Sequence, residues 1–204
     1  MGNTKSNPPY NFYIFPGNLL NSNHYICTLK KIYKIRKDKP TSMQPVIYPV
    51  EKEKLIAELT EERFVRKTNK AGNEIYTFNF KNSPNLMKEV GRIRELTFRS
   101  AGGGTGKDTD IDEFDIHETS PYEQLIVWDP QEKEIIGGYR YILCNHLDRN
   151  AEGEPNLATS ELFRFSEPFK ENYLPRMIEL GRSFVHPLYQ STKMGRKSVF
   201  ALDN

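Results

Sequence analysis

The sequence predicts a mixed α/β (α+β) domain, and three observations carry that prediction. A helical stripe at residues 83–101 is followed by a pair of apolar strands at 123–144, joined by a five-residue turn. A further apolar strand, residues 176–187, is stopped by Pro187. The chain has 204 residues, enough for one domain with a core of its own.

Residues 1–42 stand apart from this pattern. They carry seven Lys or Arg against Asp38 alone, while the whole chain has a net charge of +2. Three readings are open for this basic N-terminal extension. It is a membrane-surface arm, since KKIYKIRKDK is polybasic, or a disordered tail, or a stretch upstream of a natural start at Met43. The opening MGNTKS also fits the N-myristoylation pattern at Gly2 and Ser6, a match short enough to arise by chance.

From Met43 the elements can be read in order. PVEKEKLIAELTEERF predicts a helix, with Leu55, Ile56, Leu59 and Phe64 near helical spacing. NEIYTFNF alternates, with Tyr76, Phe78 and Phe80 on one face, and predicts a strand. SPNLMKEVGRIRELTFRSA predicts a helix with Ser83 as N-cap, Pro84 at its first position and a stripe of Leu86, Val90, Ile93 and Leu96. EQLIVWD is a continuous apolar run, as in a central strand. EIIGGYRYILC pairs with it across Asp129–Lys133 as a hairpin. Residues 145–159 read as loop, SELFRFS as a short strand, and RMIELGRSFVHP as a longer one. YQSTKMGRKSVFALDN turns through Gly195 and begins a helix near Ser198.

RSAGGGTGKDTDIDEFD imitates two ligand loops and satisfies neither. A P-loop needs Gly where Ala101 stands and Ser or Thr where Asp108 stands. A calcium loop needs a turn glycine where Glu113 stands and a bidentate Glu where Thr119 stands. What is left is a glycine loop entering an acidic turn.

Composition narrows the class. No run of about 18 apolar residues is present to span a membrane. Cys27 and Cys144 form no disulfide framework, which suits a reducing cytoplasm. The +2 charge argues neither for nor against nucleic acid, which is not among the expected partners. His24, His117, His146 and His186 are too scattered for zinc spacing, and no Ser-His-Asp arrangement is legible, so no metal is expected.

The informative residues are charges placed among apolar ones. Arg94 borders the stripe of its helix, Arg140 shares a strand face with Ile136, Ile142 and Cys144, and Glu179 and Arg182 lie inside an apolar run. Charges so placed need partners, and Asp112 and Asp115 are available. Structural ion pairing is one explanation of this pattern; a functional site is the other. Strict alternation would put Glu179 and Arg182 on opposite faces. A bulge near Gly181 would bring both to one cleft, so an irregularity is expected between Leu180 and His186. Further on, Gln190, Lys193, Gly195, Arg196 and Lys197 precede the helix start and suit an anion. A plain basic surface explains them too.

Arg94-x-x-x-Phe98, Asp112-x-x-Asp115, Arg140 in GGYRYI, and Glu179-x-x-Arg182 in ELGRSFVHP together resemble one superfamily. It comprises the acyl-homoserine-lactone synthases and the ornithine- or glycine-lipid (hemolysin-like) N-acyltransferases, both of the GNAT fold. The likeness covers roughly residues 73–204 and is nearest to the aminolipid branch. It implies a GNAT-like three-layer sandwich of which this chain holds the N-terminal portion, residues 43–204, with on the order of 100 residues expected beyond Asn204. It implies transfer of a fatty (3-hydroxy)acyl chain from acyl carrier protein to an amino acid. The donor substrate would be an acyl-phosphopantetheine, with no permanently bound cofactor. The protein would be cytoplasmic, with peripheral contact at the inner membrane face.

By the same resemblance Glu179 is the base, while Asp112 and Asp115 hold the ammonium or orient Arg94 and Arg140. Arg182 neutralises the site or grips the acceptor carboxylate. Phe98, Phe184, Val185 and His186 contact substrate, and a backbone N–H near Phe184–His186 serves the oxyanion. Gln190 to Lys197 take the donor phosphate. Two alternatives stand beside this: an acetyl-CoA-dependent acetyltransferase of a small amine, and an inactive fragment or peripheral membrane-binding module.

Overall fold

A computed structural model describes residues 43–145 and 147–190, together with the backbone of Cys27–Leu29. Its centre is a five-stranded antiparallel sheet built from β2 (Phe64–Lys67), β3 (Glu74–Phe78), β4 (Glu123–Asp129), β5 (Glu134–Leu143) and β7 (Ile178–Val185), in that spatial order. A second, two-stranded sheet pairs β1 (Cys27–Leu29) antiparallel with β6 (Phe163–Phe165). Helices α1 (Lys52–Glu58), α2 (Pro84–Ser100) and α3 (Glu167–Asn172) complete the regular elements. The mixed α/β class is therefore as expected.

Helix α2 packs its apolar stripe on one face of the sheet. Leu86, Met87, Val90 and Ile93 meet Tyr76 and Phe78 of β3, Ile126 and Trp128 of β4, Ile135 of β5 and Phe184 of β7. A second cluster, including Phe114, Tyr122, Ile142, Cys144, Phe165 and Phe169, continues this core under the 144–174 excursion. On a third, smaller cluster Val127, Ile136 and Tyr189 pack together. Burial of such side chains contributes about 1.5–3 kcal/mol each before entropy is set against it.

The first helix is shorter than its periodicity predicts. It spans Lys52–Glu58, a 3-10 turn follows at Glu61–Arg63, and Phe64 opens β2 instead of closing a helix. Apolar spacing cannot separate a helix end from a short edge strand, and all four residues of β2 are exposed. Strand β3 likewise ends at Phe78, leaving Phe80 half-buried against the core. Helix α3 falls between the SELFRFS and RMIELGRSFVHP strands, where the sequence pattern assigns no element; Ser166 caps it, accepting from the Phe169 N–H.

Ser83 does precede α2, but its hydroxyl caps nothing and is buried without a partner. Glu58 does the capping instead. Its carboxylate accepts from the backbone N–H of Asn85 at 3.1 Å and of Leu86 at 2.8 Å. Those N–H groups have no helical partners, and an anion there is favoured by the helix dipole. The last residue of α1 is thus engaged with the next helix.

Candidate active site

The site is assembled where α2, the acidic turn, β5 and β7 converge. The glycine loop places the turn. Gly102, at φ +78°, takes the left-handed conformation that ends α2, a cost-free geometry only for glycine. The loop then folds back onto the buried carboxylate of Glu95. That carboxylate accepts from the N–H of Thr105 (2.9 Å), the hydroxyl of Thr105 (2.7 Å), the N–H of Gly106 (2.9 Å) and Arg99 Nε (2.6 Å). Burial acts to raise Glu95, but these bonds prevail and hold it below the usual carboxylate range. Gly91 completes the placement. The Asp110 N–H donates to the Gly91 carbonyl, and a Cβ at Gly91 would lie 2.6 Å from Ile111 Cγ1.

The acids of DIDEFD first satisfy their own turn. Asp112 accepts from the N–H groups of Phe114 and Asp115, and Asp115 accepts from the N–H of Asp112. Their remaining capacity meets the arginines. Arg94, wholly buried, donates through Nε to Asp110 at 3.1 Å and through Nη2 to Asp115 at 2.9 Å. Arg140 donates through Nη1 to Asp112 at 2.7 Å and lies 3.3 Å from Asp115. Arg182 reaches Asp112 at 3.0 Å and Asp110 at 3.3 Å. Three arginines thus interlock with three aspartates, and Gln124 Nε2 adds a bond to Asp115 at 3.0 Å. Burial pushes Asp112 upward, but Arg140 and Arg182 outweigh it and hold the carboxyl well below its ordinary value.

Arg182 reaches the network because β7 is bulged. Gly138 of β5 faces Phe184, yet Arg140, two residues on, faces Gly181, three residues back. The extra residue falls at Arg182–Ser183, and Arg182 has φ +52°. A side-chain-bearing residue in the left-handed region costs about 1–2 kcal/mol. The bulge turns Phe184 into the main core while Arg182 stays with the acids. The expected irregularity is therefore present, with the strained residue at Arg182 itself.

Glu179 lies on the same sheet face, opposite Ile142 of β5. Among the described residues its oxygens meet hydroxyls, not cations. Tyr122 Oη donates to Oε1 at 2.9 Å and Thr159 Oγ1 donates to Oε2 at 2.7 Å. Burial pushes the Glu179 carboxyl above the ordinary glutamate value, against the opposing pull of Thr159, Tyr122 and Arg140. Tyr122 links the two parts, with its ring 4.8 Å from the Arg140 guanidinium.

The structure thus brings together Arg94, Asp112, Asp115, Arg140, Glu179 and Arg182, and adds Asp110, Glu95, Tyr122, Gln124 and Thr159. The other predicted residues lie elsewhere. Phe98 is half-buried against the main core, and Phe184 is buried within it. Val185 packs on the third cluster, and its carbonyl accepts from Thr97 Oγ1 and Gln190 Nε2. His186 is buried beside Tyr189; its N–H donates to Ile136 and its Nδ1 accepts from Leu188. Burial and the nearby Arg92 lower its pKa. Of the phosphate-binding candidates only Gln190 is among the described residues; Lys193, Gly195, Arg196 and Lys197 lie outside them. Among the described residues no cluster suits a metal ion and no helix is long and apolar enough to cross a membrane.

Residues 93–197, which hold most of this sheet and the charge cluster, match the Acetyltransferase (GNAT) domain family. The chain belongs to that family. Two relatives extend the likeness, both named glycine N(alpha)-acyltransferase. The protein from Phocaeicola vulgatus is 55% identical over 162 residues, which are 79% of this chain and 49% of that protein. The protein from Bacteroides thetaiotaomicron is 56% identical over 162 residues, 79% of this chain and 48% of its own length. The chain therefore spans about half the length of the curated relatives it matches. No solved structure matches it.

Proposed function

We propose that the chain carries the acceptor side of an N-acyltransferase site. It moves a fatty (3-hydroxy)acyl chain from a phosphopantetheine thioester to the amine of an amino acid, with glycine as acceptor. The observation that carries this reading is Glu179: a half-buried carboxylate held by the hydroxyls of Tyr122 and Thr159, raised above its ordinary pKa, and bordering a charge-balanced arginine–aspartate cluster. An amino acid arrives with an ammonium group, which must lose a proton before it can attack a thioester. A base is most effective when its pKa approaches the working pH. Glu179 takes that proton, the amine nitrogen bonds to the acyl carbon, the carbon–sulfur bond breaks, and the second proton lost by the attacking nitrogen goes to the departing pantetheine thiolate.

The cluster supports the base without competing for its role. Of the three arginines, Arg182 is the most exposed, with 11% of its side chain accessible against 4% for Arg140 and none for Arg94. Arg182 is thus the one to meet the acceptor carboxylate. Arg94 and Arg140 fix the aspartates from below. The names of the two relatives favour glycine as acceptor. Acyl carrier protein is the donor partner, and the product is a single-chain precursor of a membrane aminolipid.

The test is to incubate the chain with glycine and, in turn, a long-chain acyl carrier protein, the matching acyl-CoA, and acetyl-CoA, and to detect products by mass spectrometry. N-acylglycine from acyl carrier protein is the expected result. Turnover of acetyl-CoA alone would overturn the donor assignment, and acylation of other amines but not glycine would overturn the acceptor.

A further inference from the structure

We propose that Tyr122 and Thr159 are positioning residues that aim Glu179 and set the pH at which it accepts a proton. The inference rests on the reading of Glu179 as the base. It makes the 144–162 excursion a working part of the site.

The geometry is specific. Glu179 receives one hydroxyl on each oxygen, from two separate elements: Tyr122 precedes β4, and Thr159 sits in the 3-10 turn Ala158–Glu161. Two bonds on different oxygens fix the carboxylate plane, where one would leave it free to swing. The direction of the Tyr122 bond is set by its other partner. Its Oη accepts from the Ala158 N–H at 3.0 Å, so its own hydrogen is left for Glu179. Tyr122 cannot turn aside: it is wholly buried, edge-on to Phe114 at 5.8 Å and under Arg140. Both hydroxyls donate, so both favour the ionised carboxylate over the neutral acid. They act against the burial that raises the Glu179 carboxyl.

The titratable and charged groups facing Glu179 are Tyr122, Arg140 and Cys144. Burial and the Glu179 charge push the Cys144 thiol up to about 11 and raise the Tyr122 phenol as well. Both remain protonated around neutrality, and Arg140 remains charged.

The experiment follows the Glu179 carboxyl by carbon-13 NMR through a pH titration of the whole chain, assigned by the resonance missing in E179Q. Tyr122→Phe and Thr159→Val should each move the Glu179 midpoint upward by about one pH unit or more, the effect of one lost bond to an ionised acceptor. Thr159→Ser should restore it to within a few tenths. In glycine acylation the acidic limb of kcat/KM should move by the same amount, with the donor KM within about twofold. Midpoints unchanged in both Tyr122→Phe and Thr159→Val would overturn the inference, even if both variants melt at lower temperature. Shifted midpoints together with undiminished turnover in E179Q would uphold the placement by Tyr122 and Thr159 and overturn the proposed base.

Discussion

Asp112 and Glu179 are half-buried carboxylates of one site, and their surroundings drive them in opposite directions. Asp112 lies between two arginines, at 2.7 Å from Arg140 and 3.0 Å from Arg182, and is held far below its ordinary pKa. Glu179 is held by the hydroxyls of Tyr122 and Thr159, with no arginine bonded to it among the described residues, and burial holds it above the ordinary value. The contrast separates two jobs that the sequence pattern could not distinguish. A carboxylate locked in its charged form by cations is a structural and orienting group. A carboxylate that burial raises above its ordinary pKa is the better placed of the two to exchange a proton with a substrate.

Substitutions can break or sharpen that contrast. The largest effect should come from Arg94→Met. It leaves Asp110 and Asp115 buried without their principal cation, and such a loss typically costs about 3–5 kcal/mol. Urea unfolding at neutral pH would show it as a lowered midpoint with an unchanged slope. Asp112→Asn should cost less, about 1–3 kcal/mol, and the cost should depend on pH. Because the folded pKa is depressed, Asp112 contributes its stability above the ordinary aspartate value of about 3.9. That contribution is lost as pH falls below that value, through the folded one. Wild type and Asp112→Asn should therefore converge in acid.

Glu179→Gln should show the opposite sign. A raised folded pKa means a contribution fully present below the ordinary glutamate value of about 4.3 and lost as pH rises through the folded value. The variant should gain on wild type as pH rises above that ordinary glutamate value. If both variants lose stability in parallel across pH 4–7, the two carboxylates share one environment and the contrast is wrong. The smallest effect is expected outside both regions. Ser83→Ala should change stability by no more than about 0.5 kcal/mol, since its hydroxyl has no partner. Glu58→Ala should cost about 1 kcal/mol through loss of the α2 cap. Melting curves of the two variants side by side would check which residue caps the helix.

Much of the site was legible because a charge beside apolar residues is expensive to bury and so conspicuous. Arg94, Arg140, Glu179 and Arg182 stand out in that way, and alternation in MIELGRSFVHP exposed a conflict that a bulge resolves. Asp110 was hidden in a run of acids where any member could have turned inward. Glu95 was hidden because its partners are backbone N–H groups of a loop, which sequence does not display; its i+4 relation to Arg99 was the available signal. Tyr122 and Thr159 belong to segments without periodicity, and nothing local points them at a residue on β7. The same limit shortened the first helix. FVRK has two adjacent apolar residues, Phe64 continues the helical spacing of Leu55, Ile56 and Leu59, and only pairing with β3 makes it a strand. Capping of α2 by Glu58 is a contact between residues 27 apart in sequence for Asn85, beyond any capping motif.

The most direct test of the central claim is the turnover number of Glu179→Gln with glycine and a long-chain acyl carrier protein, measured beside the affinity of the same variant for the donor. A lost general base should lower kcat by about 100- to 10,000-fold, with donor affinity within about twofold of wild type. A kcat within twofold of wild type would contradict the assignment of Glu179 as the base.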